Sequence, residues 1–419
     1  CVLSSSPPLT LDRPPPLGAE FCTVPAEGRS PQLCSQMHAG PKCFWPTLGM
    51  ALNFSDLVFG RRTERVADLL ETGELVRITR GCFLPRSLVE EQTTRWGLRR
   101  LVTEARILAV LAGHAVHNPG IAALDAALVL QGVPILHSTP DIHYWREKKR
   151  VAPTVRVLEA VQVGSHTVPP AEVRELTGLR SSQQTGGLWG QANDDGVGPR
   201  FAGLGETILD LARFAHPLLA FVNGSLALRH LVRFDRFQRA ASEARTLSAK
   251  SEILTGLDAL SIQRNLTRAR QLVGRLEPAV ESPAEAIVLW AIEVLTRGAN
   301  PADLKPKPKC ESQYEVVSQG NQYFLDVAFP EARIAIEFDG AAKMAEGQAA
   351  QQRFLRRQAD LTRDGWHVRR LTTGDYLDVR KLFQILSRDL QSRGIGVMAP
   401  GGALWRPVLR SMLDPARLF

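Results

Sequence analysis

The chain has 419 residues, 44% of them hydrophobic and 22% charged, enough material for two or three domains with real cores. Lys and Arg number 51 against 43 Asp and Glu, and the net charge of +8 favours a polyanionic partner such as nucleic acid. No run of 18 apolar residues occurs; the longest candidate, 107–136, is broken by His114, His117, Asn118-Pro119-Gly120 and Asp125, so no membrane span is expected. Cys1, Cys22, Cys34 and Cys43 crowd the first 43 residues and fit no zinc motif, leaving only Cys82 and Cys310 for the rest. The body therefore reads as a reduced, cytoplasmic protein. Residues 1–49 hold nine prolines and no signal-peptide hydrophobic core, and are expected to be disordered. A native start at Met50 is one expectation here, tested by the intact mass of the native protein.

Residues 50–90 make the first expected domain. Arg61 to Leu70 predicts a helix with Val66, Leu69 and Leu70 as its apolar stripe, stopped by Thr72-Gly73. Glu74 to Pro85 alternates as two short strands around Arg80-Gly81. Helix, glycine stop, Leu-x-Arg strand, Arg-Gly turn and aromatic strand outline a winged helix. The pattern resembles the N-terminal domain of AbiEi-type abortive-infection antitoxins. That resemblance implies DNA contact by Arg61, Arg62 and Arg65 on the exposed side of the helix and by Arg77 and Arg80 in the wing. A solvated basic face is the alternative.

Residues 91–277 are expected to be a mainly helical middle region. Arg100 to Ala112 and the Ala/Leu-rich Ile121 to Leu130 predict helices, and others continue to Arg275. Residues 181–200, rich in Gly, Ser, Gln and Asp, read as a flexible insertion. The turn Val116-His117-Asn118-Pro119, the Ala-rich helix after it and the stretch Glu206 to Arg213 are similar to the middle of the same antitoxin-like proteins, with Glu206 where Arg is usual. His114, His117, His137 and His143 fall close together, but their spacing matches no metal site, and capping or packing is expected of them. There is no Gly-rich phosphate loop and no Gly-x-Ser-x-Gly elbow.

The acids lie in residues 278–393. Ser282-Pro283-Ala284-Glu285 opens a helix to Leu295, with Ser282 as N-cap and Glu285 completing a capping box. Tyr314 to Val317 predicts a strand. Phe324 to Gly340 predicts two strands around a tight turn. Alternation sets Asp326 opposite Leu325, Val327 and Phe329, and Glu337 and Asp339 opposite Ile334, Ile336 and Phe338. Pairing Phe329 with Ala332 puts Asp326 diagonal to Glu337, about 7–8 Å apart. Three carboxylates on one face repel, and Mg²⁺, which prefers oxygen ligands, relieves the repulsion. Gln348 to Arg363 predicts a helix with Phe354, Leu355 and Leu361 inward and Arg353, Arg356, Arg357 and Arg363 largely outward. Trp366 to Leu371 predicts a strand, Asp375 to Arg393 contains a last helix, and 394–419 reads as a tail.

From Glu281 to Leu390 these pieces resemble the uncharacterised relatives of the very-short-patch-repair endonucleases, within the PD-(D/E)xK restriction-endonuclease superfamily. The motifs concerned are the Asp326 strand, Glu337-Phe338-Asp339-Gly340, a helix, and Gly365-Trp366-His367-Val368-Arg369. The resemblance implies a mixed β-sheet flanked by helices. It also implies Asp326 and Glu337 holding Mg²⁺ or Mn²⁺, Glu285 as an additional acid, and Lys343 as a displaced active-site lysine for phosphodiester hydrolysis. The superfamily places Lys where Asp339 stands; Asp339 is then a third metal ligand or a turn residue before Gly340. Ala341 and Ala342 replace the His residues of the repair enzymes themselves. The whole chain is thus expected to be an α/β and α+β multidomain protein: winged helix, mostly helical middle region, restriction-endonuclease-like C-terminal sheet. Two functions are expected to compete: a Mg²⁺-dependent DNA endonuclease, or a non-catalytic DNA-binding regulator or antitoxin-like protein with a toxin or other protein partner.

Overall fold

A computed structural model describes residues 52–59, 64–112, 120–146, 155–176, 199–258, 265–297, 309–338 and 348–414. The readings of 1–49 and of nearly all of 181–200 lie outside the described residues.

The first unit has β1 (Val58–Phe59), helix α1 (Glu64–Glu71) and a hairpin of β2 (Leu75–Thr79) and β3 (Cys82–Pro85), with sheet order β1-β3-β2. Gly73, at φ +77°, supplies the left-handed stop after α1 that the sequence predicts, and Gly81, at φ +76°, closes the hairpin. Val76, Ile78 and Leu84 enter the core, while Arg77 between them faces solvent.

Helices α2 (Arg86–Glu90) and α3 (Arg95–Ala112) follow. Residues 120–201 then correct the expectation of a mainly helical middle region. The predicted Ile121–Leu130 helix divides into strand β4 (Gly120–Ala123) and a short α4 (Asp125–Leu130). Strand β4 joins β5 (Ile142–Arg146), β6 (Val155–Leu158), β9 (Ala171–Glu175) and β10 (Arg200–Phe201) in a mixed sheet of order β10-β4-β5-β9-β6. Strands β7 (Val161–Val163) and β8 (His166–Val168) form a separate hairpin. The cause of the misreading is visible at β4. Ala122 packs in the core beneath α3, whereas Ile121 and Ala123 pack on the other face against Trp145. A strand buried on both faces is a continuous apolar run, which periodicity does not separate from a buried helix.

The helices expected next are present: α5 (Leu204–Phe214), α6 (Pro217–Val232), α7 (Arg239–Asp258) and α8 (Leu266–Arg275). The C-terminal part runs α9 (Pro283–Arg297), β11 (Glu311–Ser318), β12 (Asn321–Phe329), β13 (Ile334–Phe338), α10 (Gln348–Arg363), β14 (His367–Leu371), α11 (Thr373–Tyr376) and α12 (Val379–Ser392). Its sheet has order β11-β12-β13-β14; the first three strands are antiparallel, and α10 carries the chain over to β14, parallel to β13. Val327, Phe329, Ile334 and Ile336 pack on α9 and α12 through Ile287, Trp290, Leu382 and Leu386. Leu325, Ala328 and Ala335 pack with Leu361 and Trp366 on the α10 side.

The α9-side cluster continues through Ile208, Phe221 and Leu272, so the apolar interior runs across residue 277 without a break. Residues 394–414, expected as a tail, are fastened down. Met398 N–H donates to the Leu295 carbonyl (2.8 Å), Trp290 Nε1–H donates to that of Leu404 (3.0 Å), and Trp405 stacks on Trp290. Among the described residues no helix is long and apolar enough to cross a membrane.

Candidate functional site

Strands β12 and β13 pair Val327 with Ile336, Ala328 with Ala335 and Phe329 with Ile334. This corrects the expected Phe329–Ala332 pairing. Pro330 to Arg333 form the connection: Ala332 N–H donates to Phe329 O and Arg333 N–H to Pro330 O, both at 3.2 Å, and Arg333 turns the chain at φ +47°. One step beyond the last pair, Asp326 and Glu337 therefore stand level rather than diagonal.

The alternation of β12 also fails at Asp326. Leu325 packs on the α10 side, whereas Val327 and Phe329 pack on the α9 side. The facing residue of β11, Gln313, has φ +49°, a conformation that strains a side-chain-bearing residue. It interrupts the ladder between Ser312–Val327 and Tyr314–Leu325. The single face expected for the acids is thus divided: Asp326 lies beside Glu285 of α9, and Glu337 turns to α10.

Glu285, 8% exposed, does what a capping residue does. Its N–H donates to Ser282 Oγ (3.2 Å), the Ser282 hydroxyl donates to Glu285 Oε1 (2.9 Å), and Glu281 N–H donates to Glu285 Oε2 (2.9 Å). The same carboxyl belongs to a second cluster. Gln313 Nε2 donates to Glu285 Oε2 (3.3 Å) and, at a long 3.5 Å, to Asp326 Oδ1. Asp326 Oδ2 accepts Phe338 N–H (3.0 Å). Arg236 Nη1 donates to Gln313 Oε1 (3.2 Å), which assigns the amide: its oxygen faces the guanidinium and its NH₂ faces the acids. Burial pushes the Glu285 carboxyl up to about 8, and the neighbouring Asp326 charge pushes the same way. Glu285 therefore favours its protonated form at neutral pH.

Glu337, 3% exposed, is held differently. Arg357 Nη2 is bonded to its Oε1, and Arg370 Nη2 lies 3.4 Å from its Oε2. Arg357 also donates to the Phe324 carbonyl (2.6 Å). The pull of this buried carboxylate turns Arg357 inward, against the expected outward placement. Phe354 and Leu355 are correspondingly exposed instead of inward, the Phe354 ring lying under Arg370 at 4.0 Å; Leu361 is buried as expected.

Asp339, Lys343, Arg61, Arg62, His114 and His117 lie outside the described residues. Arg65, Arg77 and Arg80 are exposed on α1, β2 and the hairpin turn. His137 is buried, its Nε2 2.8 Å from the Met412 carbonyl, and burial lowers the His143 pKa; neither gathers a metal site. Among the described residues no group of three or more His, Cys, Asp or Glu could hold a metal ion. No protein-family model matches this chain, no curated protein matches it, and no solved structure matches its fold.

The donor chemistry of Glu285 and Asp326 suits Mg²⁺, which takes one or two carboxylates from a protein and completes its shell with water and phosphate oxygens. Glu337, expected as a ligand, is instead neutralised by two guanidiniums. Gln313 carried no signal in the sequence: one polar residue in an alternating strand is ordinary, and only its backbone conformation and its partners mark it.

Proposed function

We propose that the C-terminal sheet is a metal-dependent phosphodiesterase site acting on DNA, on a restriction-endonuclease-like core, with the N-terminal helix and hairpin as a winged-helix DNA contact. One observation carries this reading. Helix α9 and strand β12 bring a buried Glu285 beside Asp326 under a shared Gln313 donor, and Glu285 keeps a proton that a cation can displace. Asp326 and Glu285 would hold Mg²⁺ or Mn²⁺, and the bound ion would supply an activated water and charge stabilisation at phosphorus. Phe338 N–H orients Asp326, and Gln313, itself aimed by Arg236, orients Glu285. Asp339 as a further ligand and Lys343 as the lysine beside the phosphate complete the proposal. The reducing, cytoplasmic setting fits the free thiols of Cys82 and Cys310.

The test is titration of Mg²⁺ or Mn²⁺ into the full chain at pH 7 in two buffers of different ionisation heat, alongside nicking of supercoiled plasmid. Binding is expected to release about one proton, because a ligand must deprotonate. Asp326→Asn is expected to abolish both binding and nicking; nicking that persists in that variant sinks the proposal.

The ion pairs of Glu337 with Arg357 and Arg370 favour a second reading, a DNA-binding regulator or antitoxin-like protein that does not cut. Under that reading, DNA affinity is indifferent to Asp326 and to metal, and a co-purifying toxin would support it.

A further inference from the structure

Phe237 is 68% exposed although it sits in the short 3-10 turn Arg236–Gln238 between α6 and α7, where Asp235 Oδ1 accepts its N–H and fixes it in place. Its ring stands edge-on to Phe324 of β12, with centroids 5.4 Å apart. The Arg236 guanidinium lies over both rings, 5.2 Å from Phe237 and 4.7 Å from Phe324. Tyr323, the neighbouring residue of β12, lies on the opposite face with Leu325, under Arg357 at 5.8 Å and bonded to Asp360, and takes no part in this strip. Two rings flanking a guanidinium suit a flexible polyanion with flat bases: the rings meet the bases, and Arg236, which also pairs with Glu281 at 3.4 Å, sits between them. The strip begins at the acids, since Arg236 aims Gln313 and Phe324 lies two residues before Asp326.

We propose that the strip formed by Phe237, Arg236 and Phe324 binds an unpaired DNA segment, stacking a base on Phe237 and leading the strand to the Glu285–Asp326 pair. This rests on the phosphodiesterase reading of that pair and narrows its substrate class to single-stranded, frayed or gapped DNA. A continuous duplex keeps its bases stacked on each other and offers no face to Phe237.

The test is fluorescence anisotropy of a labelled oligothymidylate of roughly 12 nucleotides, within the site sizes of such platforms, binding the full chain in EDTA, with a duplex of equal length as the second probe. Phe237→Ala is expected to weaken single-strand binding about 5- to 100-fold, the value of one stacked base, with duplex affinity unchanged. Phe237→Trp is expected to keep parental affinity and Phe237→Leu to lose it, because stacking needs a ring and not only apolar surface. Single-strand affinity unchanged in Phe237→Ala, or restored in Phe237→Leu, overturns the platform and leaves the acid site standing. Plasmid nicking by Asp326→Asn overturns the acid site and leaves the platform standing.

Discussion

Glu285 departs far from the behaviour of its type, and its effect on stability has a definite sign. Its carboxyl rises from 4.5 to about 8 on folding, so the native state binds a proton that the unfolded chain has released. The contribution is complete below pH 4.5 and is lost as pH rises through 8. Urea unfolding of the metal-free chain is therefore expected to show stability falling by about 2–4 kcal/mol between pH 5 and 8.5. Glu285→Gln should remove most of that slope, and a flat parental profile would mean that the pair is ionised throughout. Arg357→Ala removes the bonded guanidinium from the buried Glu337 and leaves Arg370 at 3.4 Å. It is expected to cost about 3 kcal/mol in the same assay, near the lower limit for stranding a buried charge because one partner remains. At this scale the acids were legible in the sequence, since carboxylates inside apolar strands are conspicuous. It did not show their partners. Arg357 lies on a helix whose pattern turns it outward, and only the buried Glu337 reverses that.

Elements were legible where one period dominated. Helix α10 was predicted at its observed bounds, and the β2–β3 hairpin is marked by Arg80-Gly81. Strand β4 was not legible, because Gly120–Ala123 is apolar on both faces and runs directly into α4. Two facts are absent from periodicity: a left-handed Arg333 in the turn, which sets the β12–β13 register, and a left-handed Gln313 across from Asp326, which breaks the alternation of β12. The start of α9 was readable from Ser282, and Ser282→Ala is expected to cost about 1 kcal/mol in thermal or urea unfolding. It also withdraws a donor from Glu285. The closing segment is a stronger case. Deletion of 394–419 removes the buried Leu404 and Leu413 and uncovers Trp290. It is expected to cost more than about 5 kcal/mol, since several large buried side chains lose their contacts together, and calorimetry should show either a much lower unfolding temperature or no cooperative transition.

Taken whole, the molecule is cationic, and its charge bears on association more than on fold. If α1 and the β2–β3 hairpin meet DNA through Arg65, Arg77 and Arg80, replacing all three with Ala should weaken duplex binding uniformly across sequences. The slope of log affinity against log salt should fall by about two to three; an unchanged slope would assign the duplex contact elsewhere.

The interior shared across residue 277 bears on inheritance. Arg236 belongs to the turn between α6 and α7, yet it aims the amide that bridges the two acids. A recombination event that moved only the chain after residue 277 into another gene would carry both carboxylates and leave behind the group that points them. Any descendant assembled that way would have to find a new sighting device before its acids could act together.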